Sequence, residues 1–213
     1  MTSAIEKTLE NLRKNRMNAV YVETKADVVP LLKTLLNDGE TIGVGGSVTL
    51  DETGVTELLR NGNYNFLDRY APDLSPEQRE ETLLRSNAAD AYLSSSNAIT
   101  EDGELYNVDG NSNRVAALAY GPKRVIVVAG INKLVPDLEA AVRRVKTVAA
   151  PKNASRLHRQ TYCAAAGHCM GLDGGMTAGC HSPQRICCSY LVSGFQRIEG
   201  RITVILVGEE CGY

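Results

Sequence analysis

Residues 121–133 read GPKRVIVVAGINK. The central run, 124–129, is apolar without alternation, which is typical of a strand buried on both faces of a parallel sheet. Glycine, asparagine and lysine follow it, so polar groups come directly after the strand. A second apolar run, 202–207, predicts another buried strand near the end of the chain. The two runs indicate an α/β fold.

Strand and helix patterns alternate upstream of these residues. The pattern predicts strands at 19–22, 41–46 and 65–69 and helices at 5–17, 24–39, 53–59 and 75–88. It also predicts a hairpin of strands 90–94 and 104–108 around the turn at 101–103, followed by helices at 114–120 and 137–147. Alternating strands and helices predict an αβα sandwich with a mostly parallel sheet.

The composition is that of an ordinary globular protein. The 213 residues carry a formal net charge of -2, so nothing in the overall charge favours nucleic acid as a partner. No apolar run is long enough to span a membrane, and the polar N-terminus lacks the pattern of an export signal. We expect one cytoplasmic domain, 1–213, with the cysteine-rich segment 158–190 inserted before the last strand.

A glycine-rich loop follows the predicted strand 41–46. Exposed backbone amides in such a loop can hold an anion, and two hydroxyl groups are available to assist them. The candidate residues are Gly45, Gly46, Ser47 and Thr49. The loop is neither a Walker sequence nor the dinucleotide fingerprint, and a tight turn without a ligand is the alternative.

Two further polar loops follow predicted strands. Asp109, Asn111 and Arg114 come after strand 104–108, although Asn111 would serve equally well as a helix cap. Asn132 and Lys133 come after strand 124–129, where a lysine is often only solvated. Because loops at the carboxyl ends of parallel strands share one edge of the sheet, we expect a binding site there for a small anionic metabolite.

All six cysteines lie in the C-terminal part of the chain. Four follow the spacing C-x5-C-x10-C-x6-C, at Cys163, Cys169, Cys180 and Cys187. Thiolates in an irregular, glycine-rich segment are ligands for an iron-sulfur cluster or for zinc. Unliganded thiols and a redox disulfide remain open, as does replacement of a thiolate by His158, His168 or His181.

Three stretches together resemble one known family. Residues 44–50 (VGGSVTL), 109–118 (DGNSNRVAAL) and 121–133 resemble the LUD family, which includes the C-type lactate-utilisation subunit. The resemblance covers roughly residues 5–213. It implies a fold like that of the NagB/RpiA/CoA-transferase superfamily.

The cysteine segment resembles a form found in LUD proteins of anaerobes. Cys163 and Cys169 match its C-x5-C pair, and residues 180–187 match its C-x-S-P-x-R-I-C element. The glycine-rich stretch 170–179 is longer than the link expected there. The resemblance implies a 4Fe-4S cluster, with zinc as the alternative, and iron-sulfur redox subunits as partners in the use of lactate or another 2-hydroxy acid.

Three functions remain open from the sequence. The first is an electron-transfer or accessory component of 2-hydroxy-acid oxidation. The second is an enzyme for a phosphorylated or CoA-linked metabolite, with Glu101, Asp102 or Asp109 as general base. The third is a zinc-stabilised ligand-binding module. A homodimer formed through the first helix is a further expectation.

Overall fold

A computed structural model describes residues 2–213. Its strands, in chain order, are β1 (Asn18–Val22), β2 (Thr41–Val44), β3 (Asn65–Leu67), β4 (Ala91–Ser94), β5 (Ala98–Thr100), β6 (Leu105–Asp109), β7 (Arg124–Gly130), β8 (Leu134–Val135), β9 (Ser189–Ser193) and β10 (Ile202–Val207). Its α-helices are α1 (Ser3–Lys14), α2 (Val28–Leu35), α3 (Val48–Glu52), α4 (Val55–Asn61), α5 (Pro76–Ser86), α6 (Asn113–Ala119), α7 (Leu138–Arg144), α8 (Ala150–Arg156) and α9 (Tyr162–Ala166).

The central sheet contains six parallel strands in the order β1-β10-β7-β4-β2-β3. The strands predicted at 124–129 and 202–207 lie side by side at its centre, and the sheet buries both. The chain leaves β2 to one side for β3 and returns on the other side as β4. Such a reversal of strand order opens a crevice at the carboxyl ends of the strands.

Helices cover both faces of this sheet, as the αβα prediction requires. One face carries α1 and α6, and its core includes Leu12, Leu118 and Val127. The other face carries α2, α3 and α4, and its core includes Leu32 and Leu59. The fold class predicted from the sequence is confirmed.

The helix starts follow local chemistry. Ser75 and Gln78 form the capping box that the sequence predicted for α5, with Pro76 in its first turn. Ser47 caps α3 by accepting a hydrogen bond from the backbone N–H of Leu50. The glycine-rich loop therefore ends in a capped helix, which fixes its exit direction.

The predicted hairpin of 90–94 with 104–108 is wrong. Residues 91–94 form β4 inside the parallel sheet, and the hairpin partner of β6 is the unpredicted strand β5. The serines that follow β4 are buried, so the chain crosses the interior before it turns back. Strands β8, β5, β6 and β9 form a second, mixed sheet at this edge.

Two helix predictions also change. The helix predicted at 137–147 continues through a π-helical turn, Val145–Ala149, into α8. The first helix buries Ile5, Leu9 and Leu12 against the central sheet of its own chain, so this apolar face is not available for a dimer. The homodimer itself stays a prediction. Among residues 2–213, no helix has both the length and the apolar character needed to cross a membrane.

Candidate anion pocket and adjoining cysteine cavity

A cavity of about 410 Å³ lies at the carboxyl ends of the parallel strands. Its walls come from the loops after β2, β3, β4 and β7, from the β6–α6 loop, from the end of α8 and from the segment that precedes β9. The polar residues that line it include Ser47, Thr49, Arg69, Tyr70, Ser95, Ser96, Asn97, Asp109, Asn111, Arg114, Lys133, Asn153, Arg156, Arg159, Arg185 and Tyr213. The cavity is in the range of volumes that bind small metabolites.

The lining is strongly cationic. The lining contains several cationic residues, among them Arg69, Arg156 and Arg159. Within the described part of the chain, its one acidic residue is Asp109. The Nε atom of Arg69 is buried and has no hydrogen-bond partner within residues 2–213. A buried guanidinium N–H without an acceptor is costly, and the guanidinium group adds positive charge to the cavity wall. The charge balance therefore favours an anionic ligand.

Lys133 is the most buried cation of the cavity. Its side chain is 3% exposed, and Nζ donates hydrogen bonds to Thr49 Oγ1 at 2.7 Å and Ser95 Oγ at 2.8 Å. Burial, together with the positive charges of Arg144 and Arg114, lowers the pKa of Lys133 to about 7. A lysine with this pKa exchanges its proton near neutral pH, which is unusual outside functional sites.

Arg114 lines the cavity, but its guanidinium group is already occupied. It donates to Asn107 Oδ1 at 2.6 Å, Asn97 Oδ1 at 2.9 Å and the carbonyl oxygen of Val108 at 2.7 Å. Burial lowers the pKa of Arg114. Arg114 therefore holds the walls together and contributes positive charge, whereas the sequence predicted a direct counter-ion.

Asp109 is also engaged within the protein. One of its carboxylate oxygens accepts from the backbone N–H of Arg114 at 2.8 Å and of Val115 at 3.3 Å, and the other accepts from Gly110 at 3.0 Å. Asp109 thus caps the start of α6. This use of both oxygens leaves it poorly suited to act as a general base.

The glycine-rich loop presents unused donors. The backbone N–H groups of Gly46 and Ser47 donate no hydrogen bond within residues 2–213. Gly46 lies against the hydroxyl of Tyr70, at a place where a Cβ atom would collide with it. A side chain at position 46 would push the Tyr70 hydroxyl away from the loop, and Tyr70 lines this side of the cavity.

The structure brings most of the predicted ligand-binding residues to this cavity. Those that line it are Gly46, Ser47, Thr49, Asp109, Asn111, Arg114 and Lys133. Gly45 does not line the cavity. It packs against Arg114 and Ser94, which a Cβ atom at this position would meet. Asn132 is elsewhere: its side-chain amide holds the C-terminal segment, bonded to Cys211 and Gly212. Its predicted place in the binding site is not supported.

Two of the predicted general bases are not part of this lining. Glu101 and Asp102 lie at the β5–β6 turn, where Lys7 of α1 forms a salt bridge with Glu101 at 3.0 Å. They belong to the packing of the hairpin on the first helix. Neither carboxylate lines the cavity, so the structure gives no support to that part of the enzyme hypothesis.

The sequence reasoning missed Arg69, Ser95, Arg156 and Arg159. Arg69 and Ser95 follow β3 and β4, so the rule that predicted the other loops would have found them. Arg156 and Arg159 lie at and beyond the end of α8 and left no such signal in the sequence.

A second, smaller cavity lies beside the first. It measures about 30 Å³, and Cys163, Cys169, Cys180 and Cys187 all line it. Its other walls are mainly apolar and include Val142, Val145, Ala150, Met170 and Met176. Within residues 2–213 no three or more cysteine, histidine or acidic groups are arranged closely enough to hold a metal ion. The four predicted thiols nevertheless share one cavity.

Burial dominates the chemistry of the Cys187 thiol. It raises the pKa of Cys187 to about 12, and the neighbouring thiols Cys163, Cys169 and Cys180 raise it as well. Four soft donors whose negative charges would repel one another in an apolar cavity suit a cationic metal centre. The four cysteines therefore supply the donor type that an iron-sulfur cluster or zinc takes, and the metal itself stays a prediction.

The long glycine-rich stretch 170–179 forms one wall of this cysteine cavity. The buried Lys146 holds it, since Nζ donates to the carbonyl oxygens of Gly171, Gly174 and Gly175 at 2.5, 3.0 and 2.8 Å. The remaining cysteines and the histidines do not line the cavity: these are Cys188, Cys211, His158, His168 and His181. Replacement of a thiolate by histidine is therefore not supported.

Arg185 and Ile186 line both cavities. The guanidinium group of Arg185 donates to the carbonyl oxygens of Cys180 and Cys187, each at 2.8 Å. One side-chain layer thus separates the cationic pocket from the thiols. The molecule is an α/β protein with a cationic pocket at the switch point of its parallel sheet and a thiol-lined cavity next to it.

Comparison with known proteins places this protein in a family. The family profile described as LUD domain matches residues 5–207. The chain belongs to the LUD-domain family, as the three loop sequences predicted. No curated protein gives a significant match.

One solved structure shows the same fold, and two others match this chain more weakly. A crystal structure of a DUF162 family protein from Deinococcus radiodurans matches 96% of each chain at 18% identity, with a TM-score of 0.53. Ribose 5-phosphate isomerase A from Methanocaldococcus jannaschii matches 63% of this chain and 66% of its own at 16% identity, with a TM-score of 0.35. The delta subunit of eIF2B from Chaetomium thermophilum matches 52% of this chain and 48% of its own at 18% identity, with a TM-score of 0.34.

Proposed function

We propose that this LUD-domain protein is an iron-sulfur component of lactate or 2-hydroxy-acid utilisation. In this proposal the cationic pocket binds a small organic anion, and Cys163, Cys169, Cys180 and Cys187 hold a 4Fe-4S cluster. A cluster bound there supplies one-electron transfer. The partners would be iron-sulfur redox subunits that deliver or accept the electrons.

The wall shared by the two cavities is the observation that supports this proposal most directly. Arg185 and Ile186 contact the space available to an anion on one side and the space between the thiols on the other. A metabolite and a cluster would therefore be neighbours, which a redox role requires and a purely structural metal does not. The mainly apolar lining of the cysteine cavity is also expected to keep water away from a cluster.

The residues around the cysteines hold them in position. Arg185 fixes the carbonyl groups of Cys180 and Cys187, and Tyr190 donates a second hydrogen bond to the carbonyl of Cys187 at 2.9 Å. The backbone N–H of Cys169 donates to the carbonyl of Lys146 at 2.8 Å. These contacts connect the cysteine segment to the π-helical turn Val145–Ala149 and to β9.

The test is the metal and acid-labile sulfide content of protein purified without oxygen, together with a visible spectrum. We expect about four iron and four sulfide per chain and a broad absorption band of the iron-sulfur type. A Cys180→Ser variant should lose most of the iron and the colour. Colourless protein that contains zinc, or protein without metal, would refute the redox role.

Cys188→Ser is the matched control. Cys188 is exposed, neighbours Cys187 in the sequence and does not line the cysteine cavity. The control variant should keep the iron and sulfide of the wild type. Equal losses in both variants would mean that the cavity does not define the ligands.

A separate observation supports a second function. The pocket is larger and more cationic than one small carboxylate needs, which favours an enzyme for a phosphorylated or CoA-linked metabolite. Such an enzyme should keep its turnover in the Cys180→Ser variant. Loss of turnover together with the metal would favour the redox role instead.

A further inference from the structure

We infer that Lys133 is a nucleophilic amine that forms an imine with the carbonyl group of a small 2-oxo acid bound in the cationic pocket. The inference rests on the proposed use of this pocket for a small organic anion. It does not depend on the cluster. It adds a covalent site to the pocket and names carbonyl-bearing acids as the ligand class.

The hydrogen bonds of Lys133 fit a neutral amine. The hydroxyl of Thr49 donates to the carbonyl of Cys211 at 3.2 Å, and the hydroxyl of Ser95 donates to the carbonyl of Ser96 at 3.5 Å. Both hydroxyl oxygens therefore accept from Lys133 Nζ, at 2.7 and 2.8 Å. A neutral amine has two N–H groups, so both are used and its lone pair remains available.

The electrostatic surroundings favour the same form. Within residues 2–213 Lys133 forms no salt bridge with a carboxylate. The nearby charges of Arg144 and Arg114 oppose protonation, whereas Cys211 and Glu52 favour it to a smaller extent. Desolvation next to other cations is a known way to make a lysine nucleophilic at neutral pH.

The pocket also supplies a way to hold the acid. Lys133 lines the same cavity as Arg69 and Arg159, whose guanidinium groups are the donors that suit a carboxylate. A carboxylate bound by these guanidinium groups would leave the adjacent carbonyl carbon inside the cavity that Lys133 lines. The imine is therefore expected only for acids small enough to enter and with the carbonyl next to the carboxylate.

The chemical step balances without an oxidant or a reductant. The lone pair of Nζ forms a bond to the carbonyl carbon as the carbon–oxygen π bond breaks, and one proton passes from the nitrogen to the oxygen to give a carbinolamine. The nitrogen lone pair then expels the hydroxyl group, which takes the second nitrogen proton and leaves as water, so a C=N bond forms.

The experiment is reductive trapping on the intact protein. Wild-type protein is incubated at pH 7.5 with pyruvate, glyoxylate or 2-oxobutyrate, reduced with borohydride and digested for mass spectrometry. For pyruvate, we expect a modification on Lys133 with the mass of pyruvic acid less one oxygen atom, which requires both acid and borohydride. Lys123 is the internal control, because it is exposed and paired with Asp90 at 2.8 Å.

Lys133→Arg is the matched variant, since its side chain keeps N–H donors for Thr49 and Ser95 but lacks a nucleophilic amine. In this variant, the amount of adduct at position 133 should be at or below the amount at Lys123. Absence of a Lys133 adduct with all three acids in the wild type would overturn the inference, as would equal trapping at Lys123. The same experiment on Cys180→Ser should still give the adduct, so failure of the cluster proposal and failure of this inference are distinguishable.

Discussion

Replacement of Lys133 by methionine gives a sharp test of the physical picture of the pocket. Lys133 has a pKa of about 7 in the folded protein, against an ordinary value of 10.5. At a pH between these two pKa values, the unfolded chain therefore carries a proton on Lys133 that the folded chain lacks. The free energy of unfolding of the wild type must then rise with pH across this window.

The magnitude follows from the shift. At pH 7 the lowered pKa corresponds to about 4 kcal/mol of lost stability, and at pH 9 to about 2 kcal/mol. Methionine removes this loss, but it also removes the hydrogen bonds to Thr49 and Ser95, which together contribute about 2 kcal/mol. We expect Lys133→Met to be about 2 kcal/mol more stable than the wild type at pH 7 and nearly equal to it at pH 9.

The assay is urea unfolding of both proteins, free of metal and under reducing conditions, at several pH values between 7 and 9. The quantity to compare is the difference in the free energy of unfolding between the two proteins, because all other titrating groups are common to both. A difference that does not change with pH would refute the reasoning. It would mean that Lys133 keeps its proton in the folded protein and forms only static contacts.

Three further predictions concern other parts of the molecule. Gly103→Ala should destabilise the protein by about 1 kcal/mol or more in urea unfolding, because Gly103 has a φ of +79° and a Cβ there would lie 2.5 Å from the backbone of α1. Gly175→Ala is the control: it lies in open space and should change stability by less than about 0.5 kcal/mol. Glu40→Gln should cost about 1 kcal/mol at neutral pH, since Glu40 accepts two hydrogen bonds at 2.6 Å from Arg124. Burial acts to raise the pKa of Glu40, but its hydrogen bonds and the charge of Arg124 lower it overall, so this difference between Glu40→Gln and the wild type should disappear as the pH falls below about 4. Arg69→Met should weaken pyruvate binding by about tenfold or more in calorimetry without changing the fold, and unchanged affinity would place the carboxylate elsewhere.

Local sequence patterns predicted part of the fold. The strand at 202–207 has the predicted bounds, and the strand predicted at 124–129 gains one residue, because continuous apolar runs between turn residues allow little else. The capping box at Ser75 set the start of α5 for the same local reason. The hairpin failed because β4 and β6 are both apolar, and composition does not tell which strands pair.

The candidate site, like the fold, was predicted only in part from local sequence. The sequence by itself determined the thiols of the cysteine segment and the polar loops that follow the parallel strands, since spacing and turn chemistry are local properties. Only the tertiary structure decided that Arg156 enters the pocket, that Lys133 is buried without a carboxylate, and that Arg185 separates the two cavities. These facts depend on strand order and on how distant segments pack, and the free energy of such packing is not encoded in any short stretch of the chain.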